Sequence, residues 1–425
     1  MIKEKEYKKR RYKFGKKLEK NSVALISAAT QKIRSNDTEF PYRQDSNFYY
    51  LTGFKEDNAA LVFVKTKNSC KSYLFVEKKD PKMELWTGKR LGAKAAKKRF
   101  AVDGVFNLDE LDTKLKEFFK KKGSFYYDYR REDSLIKKYK RLAKKEDLEL
   151  NNAATIVEKL RLIKSPAELA LIEKSVEITK EAHHRAMKIS KELANEYELL
   201  AEIEYIFKKR GAYNDAYTSV IASGNNANTL HYIENNQALK TGELILIDAG
   251  CEYEYYASDV TRTIPVSGKF TKEQKELYQL VLDVEKQIIA MIKPKVLRSE
   301  LHKKAEKLLC EGMVELGILK GSVKKLLKKG AHKKYFPHGI GHYMGIDVHD
   351  QNPYKTKKGK EIPLKAGMVL TIEPGLYLPK DDKKVPKKYR GIGIRIEDDI
   401  LVTKDGYKNL SKDINKEIED IENIS

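Results

Sequence analysis

The tetrapeptide Ser165-Pro166-Ala167-Glu168 constrains this chain most, because it is a helix start signal at the head of a long amphipathic stretch running to Ser190. Ser165 can serve as N-cap, Pro166 suits the first helical position, and Glu168 stands where its carboxylate can return a hydrogen bond to the cap. A long helix is therefore predicted from Pro166, and it marks a change in the character of the chain. Before it, SVALISAA, AALVFV, SYLFVEK and SFYYDY alternate with basic helical stretches, and their β-branched and aromatic residues predict the strands of an α/β unit. After it, helices beginning near Asn195 and at Thr271 are interleaved with GELILIDAG, DVTRTIPV, GMVLTIEPG and GIGIRIEDDILV. LILIDAG and DVTRTI are joined by a short tyrosine-rich connection, which favours an antiparallel hairpin over a parallel crossover and predicts a mixed α+β unit. The boundary is expected near residue 158, giving domains at 1–158 and 159–425 in a chain of 425 residues, long enough for two cores.

No apolar run approaches the roughly 18 to 20 residues that span a bilayer. The basic N-terminus has no apolar segment or small-residue cleavage site behind it. A cytoplasmic protein with no membrane partner is expected. Cys70, Cys251 and Cys310 are odd in number and far apart, which suits free thiols in a reducing compartment. The formal charge of +23 would attract polyanions, but the lysines are scattered over helix faces and short runs such as 120–122 and 383–388. With no element that would read bases, no specific nucleic-acid partner is expected.

The polar residues that interrupt the second unit's apolar segments carry the chemistry. Asp248 closes the run LILI and Asp259 opens the next strand, so the two carboxylates can face each other across a hairpin; a turn or cap role is the simpler reading of either alone. PHGIGHYMGIDVHD concentrates His338, His342 and His349, three of the eight histidines of the chain, in one glycine-rich stretch where Pro337, Gly339 and Gly341 oppose a regular helix. Such density favours metal binding and proton handling over structural packing. Glu373 ends the strand MVLTI, where Pro374 and Gly375 fix it. Strand alternation in GIGIRIEDDI puts Ile392, Ile394 and Ile396 on one face and Arg395 with Glu397 on the other, with a salt bridge on the sheet as the plain alternative and Asp398 and Asp399 as solvated acids at its end. Taken together, Asp248, Asp259, His342, Glu373 and Glu397 make a ligand set of four carboxylates and one imidazole, suited to two divalent cations such as manganese, iron, cobalt or zinc.

On these motifs the chain resembles the creatinase and prolidase-like metallopeptidases of the pita-bread fold, and among them the Xaa-Pro aminopeptidases. The resemblance is carried by His231-Tyr232, the segment from Leu246 to Thr263, PHGIGHYMGIDVHD, TIEPGLY and RIED. In the first portion it is carried by YRQDSNFYYLTGF (Tyr42 to Phe54) and ELWTGKRLGAKAA (Glu84 to Ala96), which are similar to a creatinase-type N-terminal domain. It implies a pita-bread catalytic domain preceded by that smaller α/β domain, and hydrolysis of the bond between a first residue and a following proline. It also implies that Asp248 chelates one metal, Asp259 and Glu397 bridge both, and His342 with Glu373 complete the second site, Mn2+ being the first choice over Zn2+, Co2+ or Fe2+. Glu373 is expected to handle the proton of the attacking water and, with His231 or His349 stabilising the developing oxyanion, to act catalytically. His231, His338, Tyr377 and Arg395 are expected around the proline ring, and His349 against the peptide backbone. Methionine aminopeptidases share the catalytic fold but lack the leading domain. The alternatives are an Xaa-Pro dipeptidase and, with its metal ligands intact here less expected, a non-catalytic pita-bread binding protein. A homodimer or homotetramer is expected. Between the histidines, Gly341 stands at a small-residue position where serine is expected to serve equally.

Overall fold

The computed structural model describes residues 2–120, 122–131 and 133–424; Lys121, within the basic run 120–122, lies outside them. The chain divides into two compact units, Met1–Arg161 and Leu162–Ser425. The expected boundary after residue 158 falls inside the helix Ala154–Arg161, which finishes the first unit.

In the first unit, six strands lie in the order Gly104–Asn107, Cys70–Val76, Ala60–Lys65, Ser22–Ser27, Ser124–Tyr127, Glu149–Asn152. The two central strands, Ser22–Ser27 and Ala60–Lys65, pair antiparallel, while the pairings that bring in Gly104–Asn107, Ser124–Tyr127 and Glu149–Asn152 are parallel. Ser22–Ser27 is buried throughout, as its continuous apolar run required. The edge segments GVFN and ELNN are too short and too polar to read as strands from composition. In YRQDSNFYYLTGF, Asp45 caps the helix Ser46–Thr52 by accepting from the Phe48 amide at 2.8 Å, and Gly53 ends it with φ of 69°.

The second unit opens with the predicted helix, Pro166–Ile189, whose cap amide at Ser165 donates to Glu168 Oε2 at 2.9 Å. Glu196–Lys209 and Lys272–Ala290 follow as expected, the latter with Thr271 Oγ1 accepting from the Gln274 amide. Leu244–Asp248 pairs antiparallel with both Val220–Ser223 and Thr261–Pro265. A second antiparallel sheet joins Val369–Ile372, Asp398–Val402 and Tyr407–Asn409, and a ribbon pairs Gly375–Leu378 with Ile392–Arg395. Helices and strands share one apolar core that includes Ile178, Leu199, Ile245, Leu282, Ile372 and Ile394.

GIGIRIEDDILV differs from the single strand its alternation predicted. It forms two strands, Ile392–Arg395 and Asp398–Val402, because at Ile396 and Glu397 the backbone leaves one partner for another: the Ile396 amide donates to Pro374 O and the Glu397 amide to Thr261 O. Asp398 and Asp399, expected as solvated acids, are fully buried. For Asp398 the reason is a cation network, and for Asp399 it is the Asp259 amide, which donates to its Oδ2 at 3.0 Å. Arg262, itself fully buried, donates to Asp398 Oδ1 at 2.7 Å and also to the carbonyls of Thr261, Glu397, Ile414 and Asn415. Lys416 reaches the other Asp398 oxygen and Glu285. These bonds fasten the C-terminal segment to the strand that follows Glu397.

Two backbone segments come together at Gly341. Thr371 N donates to His342 O and Glu373 N to Ile340 O, both at 2.9 Å, and a Cβ on Gly341 would stand 1.9 Å from the Thr371 carbonyl oxygen. Serine is therefore not equivalent to glycine in this backbone arrangement, contrary to the expectation from size alone, since the obstacle is backbone and the two segments would have to move apart to admit a side chain.

Gly341→Ser should destabilise the second unit by at least the ~1–3 kcal/mol typical of an overpacked core, read as a lower denaturant midpoint. Arg262→Met should cost about 3–5 kcal/mol, because it strips a buried carboxylate and four carbonyls of their donor, whereas Arg262→Met with Asp398→Leu should recover part of the loss in the same titration.

Candidate active site

Four segments deliver acids to one place because each ends a buried strand or lies beside one. Asp248 is the last residue of Leu244–Asp248, Asp259 lies just ahead of Thr261–Pro265, Glu373 follows Val369–Ile372, and Glu397 occupies the break between the two strands described above. The apolar residues of each strand are held by the core, so the polar residue at the end is presented at its edge. His342 arrives on the segment laddered to Thr371 and Glu373. All five line a single cavity of about 490 Å³, together with His231, His338, His349 and Arg395. Its remaining wall includes Val220, Leu230, Ile233 and Val348.

His342 Nε2 lies 3.2 Å from Asp259 Oδ2 and 3.8 Å from Glu373 Oε1. Its Nδ1 pairs with Tyr343 O, which orients the ring. His338 Nδ1 is 3.6 Å from Glu373 Oε2. His349 is set edge-on to the His342 ring, with centroids 4.2 Å apart. Arg395 and Glu397 both face the cavity, but not as a mutual salt bridge: Arg395 Nη2 donates to Asp248 Oδ2 at 2.6 Å, and Thr261 Oγ1 donates to Glu397 Oε2 at 2.7 Å. Tyr377 is the one expected residue that does not line the cavity. It is buried behind the wall, where its hydroxyl oxygen accepts from Arg395 Nη1 at 3.0 Å and pairs with His338 Nε2 at 2.8 Å.

Crowded acids perturb one another. Burial, reinforced by Asp259 and Asp248 against the pull of His342 and Arg395, raises the Glu373 carboxyl to about 7. Burial and the charges of Asp259, Glu373 and Asp248 hold Glu397 well above the ordinary carboxylate range. Burial opposes protonation of His342, yet its bond to Asp259 and the nearby Glu373 outweigh that and lift it to about 9. His338, by contrast, is lowered to about 4 by burial and by Arg395, so at neutral pH it is an uncharged imidazole.

This is the donor set of a divalent-cation site. One ligand atom each from Asp259, His342 and Glu397 lies within 4.8 Å of the others. Asp248 Oδ1 is buried without a hydrogen-bond partner. Buried carboxylates that raise each other's pKa mark negative charge in want of cations, and hard oxygen donors with one imidazole suit manganese, iron, cobalt or zinc. The residues fit the group.

Three contributors escaped the sequence reading. Asp399 Oδ2 accepts from the Asp259 amide at 3.0 Å and so holds that acid from behind. Thr261 ties Glu397 to Arg395, whose Nε donates to the same threonine oxygen. Tyr217 lines the cavity, and burial with the charges of Asp248, Asp259 and Glu397 pushes its phenol far up. Alternation in TRT could have placed Thr261 and Thr263 on one face; nothing in the sequence marks Asp399 or Tyr217.

Residues 170–404 match the model of metallopeptidase family M24, and residues 7–126 match that of the aminopeptidase P N-terminal domain. The Xaa-Pro aminopeptidase of Escherichia coli is 40% identical over 432 residues, covering 99% of this chain and 97% of that one. The Xaa-Pro aminopeptidase of Haemophilus influenzae is 38% identical over 422 residues, with coverages of 99% and 96%. The solved structure of E. coli aminopeptidase P with the inhibitor Pro-Leu superposes with a TM-score of 0.94 at 38% identity, covering 100% of this chain and 98% of that one. The chain thus belongs to metallopeptidase family M24, with the family's pita-bread catalytic fold preceded by an aminopeptidase P-type N-terminal domain.

Proposed function

We propose that the protein is an Xaa-Pro aminopeptidase, hydrolysing the bond between the first residue of a peptide and a following proline. The observation that carries this reading is the gathering of four carboxylates and four histidines around one cavity, in a chain similar along its whole length to enzymes of that name. Its substrate is a peptide with proline in second position. It works in the cytoplasm as a homodimer or homotetramer. No helix among the described residues is long and apolar enough to cross a membrane. The domain junction lies at the end of the helix Ala154–Arg161.

Asp248, Asp259, His342, Glu373 and Glu397 would hold two divalent cations, with Mn2+ preferred. When bound, such cations supply Lewis acidity, which lowers the pKa of a water and polarises the scissile carbonyl. Glu373 takes the proton of the attacking water at a carboxylate oxygen and returns it to the departing proline nitrogen, as one positioned group can do in both directions. His231 or His349, both on the cavity wall, donates to the carbonyl oxygen as negative charge develops there. His338 and Arg395 border the proline ring, and His349 also meets the peptide backbone. Tyr377 acts through these two, fixing His338 by one hydrogen bond and Arg395 by another. Because proline has no amide hydrogen and a fixed φ, a site shaped for its ring need not supply an acceptor at that nitrogen.

Chelation should abolish hydrolysis and Mn2+ should restore it; full activity in metal-free protein would overturn the cation assignment. Asp259→Ala, folded by circular dichroism and at saturating Mn2+, should lose roughly 10³-fold or more in kcat, since removing a shared ligand disturbs both cations at once. With matched peptides Xaa-Pro, Xaa-Pro-Yaa and Xaa-Ala-Yaa, product analysis should find cleavage ahead of proline in the first two. Cleavage of the dipeptide alone would indicate an Xaa-Pro dipeptidase, and equal cleavage of the alanine peptide would refute the proline pocket.

A further inference from the structure

His349 presents a gap between what it is expected to do and what holds it. Its side chain is exposed at the cavity wall, and the edge-on contact with His342 is the one ring contact it makes among the described residues, with no hydrogen bond to either nitrogen. An imidazole so loosely held takes its position from the backbone that carries it. That backbone is fixed by the next residue. Asp350 is buried, its amide donates to Tyr343 O at 2.8 Å and closes the loop between His342 and His349, and its carboxylate turns inward. There Asp350 Oδ2 accepts from Lys164 Nζ at 3.1 Å and from Asn352 Nδ2 at 2.9 Å.

The Lys164–Asp350 pair is unusual among the chain's ion pairs in that both side chains are only 1% exposed. A buried pair of this kind adds little net stability, since desolvation of both charges offsets most of their attraction. Its geometry is nevertheless tightly defined. Lys164 is anchored through its own amide to Gly367 O at 2.8 Å. The pair also lies over Gly345, inside the same loop, where a Cβ would come within 2.8 Å of Lys164 Cε and 2.9 Å of Asp350 Oδ2. Lysine, aspartate and glycine thus fill one space, with Asp350 covalently joined to His349.

We infer that Lys164 is a positioning residue for hydrolysis: through Asp350 it sets the His349 imidazole against the reacting carbonyl. This rests on the reading of His349 given above. The lysine is not among the residues that line the cavity, and its effect on turnover passes through the loop.

The test is a kinetic double-mutant cycle on the Mn2+-loaded enzyme with an Xaa-Pro-Yaa peptide. His349→Ala alone should lower kcat by roughly 10²-fold, the scale of losing one oxyanion donor. Lys164→Met should lower kcat on the order of 10-fold, as expected for a displaced catalytic group, with KM changed less than kcat. In the His349→Ala background, Lys164→Met should then have under about 2-fold further effect, because coupled residues are non-additive. Should Lys164→Met fold poorly, Lys164→Met with Asp350→Leu removes both charges together; it should keep the wild-type thermal midpoint yet still lose kcat, which a merely structural pair would not do. If the His349→Ala enzyme keeps its kcat, the role of His349 and the inference fail together. If His349→Ala is impaired but the Lys164 effect multiplies independently of it, or the doubly neutral variant turns over normally, the role of His349 stands and the inference falls.

Discussion

Mutual repulsion of buried carboxylates is the constraint around which the second unit is arranged. Asp248, Asp259, Glu373 and Glu397 share a cavity with partly apolar walls, where each charge raises the cost of the next. A chain would not gather such groups for stability; left unpaired they cost free energy that the surrounding fold has to offset. Arg395 against Asp248 and His342 against Asp259 relieve part of it with positive charge, and Thr261 gives Glu397 a donor. What those groups leave unsatisfied, including one buried oxygen of Asp248, matches the charge and donor preference of divalent cations.

Holding such a cluster requires rigid supports behind it, and the fold supplies them in pairs of crossing segments. Asp259 is tied to Asp399, Glu397 to Thr261, and His342 and Glu373 are laddered through Thr371 and Ile340. Behind these stands Arg262, which binds Asp398 and four carbonyls and so joins strand, break and C-terminal segment. The arrangement places fully buried acids immediately beside one another in sequence with opposite fates. Arg262 and Lys416 hold Asp398 well below the ordinary carboxylate range, whereas burial and Asp259 hold its neighbour Asp399 well above it. A cationic partner inside the protein thus keeps one supporting acid charged while its neighbour favours the proton.

The local part of this design was legible. The cap at Ser165–Glu168, the helices after Asn195 and Thr271, and the hairpin joining Leu244–Asp248 to Thr261–Pro265 all follow from short-range rules that operate within a few residues. So did the candidate ligands, because acids and histidines that end apolar strands are out of place unless something gathers them. The errors share a cause. Serine seemed equal to glycine at 341 because the obstacle is the carbonyl of Thr371, thirty residues away along the chain. Asp398 and Asp399 seemed solvated because their partners Arg262 and Asp259 lie far back in sequence. Tyr377 is expected at the cavity, and its place behind Arg395 and His338 depends on the ribbon it shares with Arg395 and on the distant segment that brings His338 against its hydroxyl.

The sequence by itself determined which residues could do the chemistry and the periodicity of the elements that carry them, since capping, alternation and turn chemistry are written in neighbouring side chains. It also carried enough ordered motif to indicate a family. Only the tertiary structure decided which carboxylates face the cavity and which serve behind it, where the strand breaks at Ile396 and Glu397, and why a side chain at Gly341 would meet the Thr371 carbonyl. Those outcomes depend on burial and on close contacts between distant segments, and burial is a property of the packed chain that no local pattern specifies.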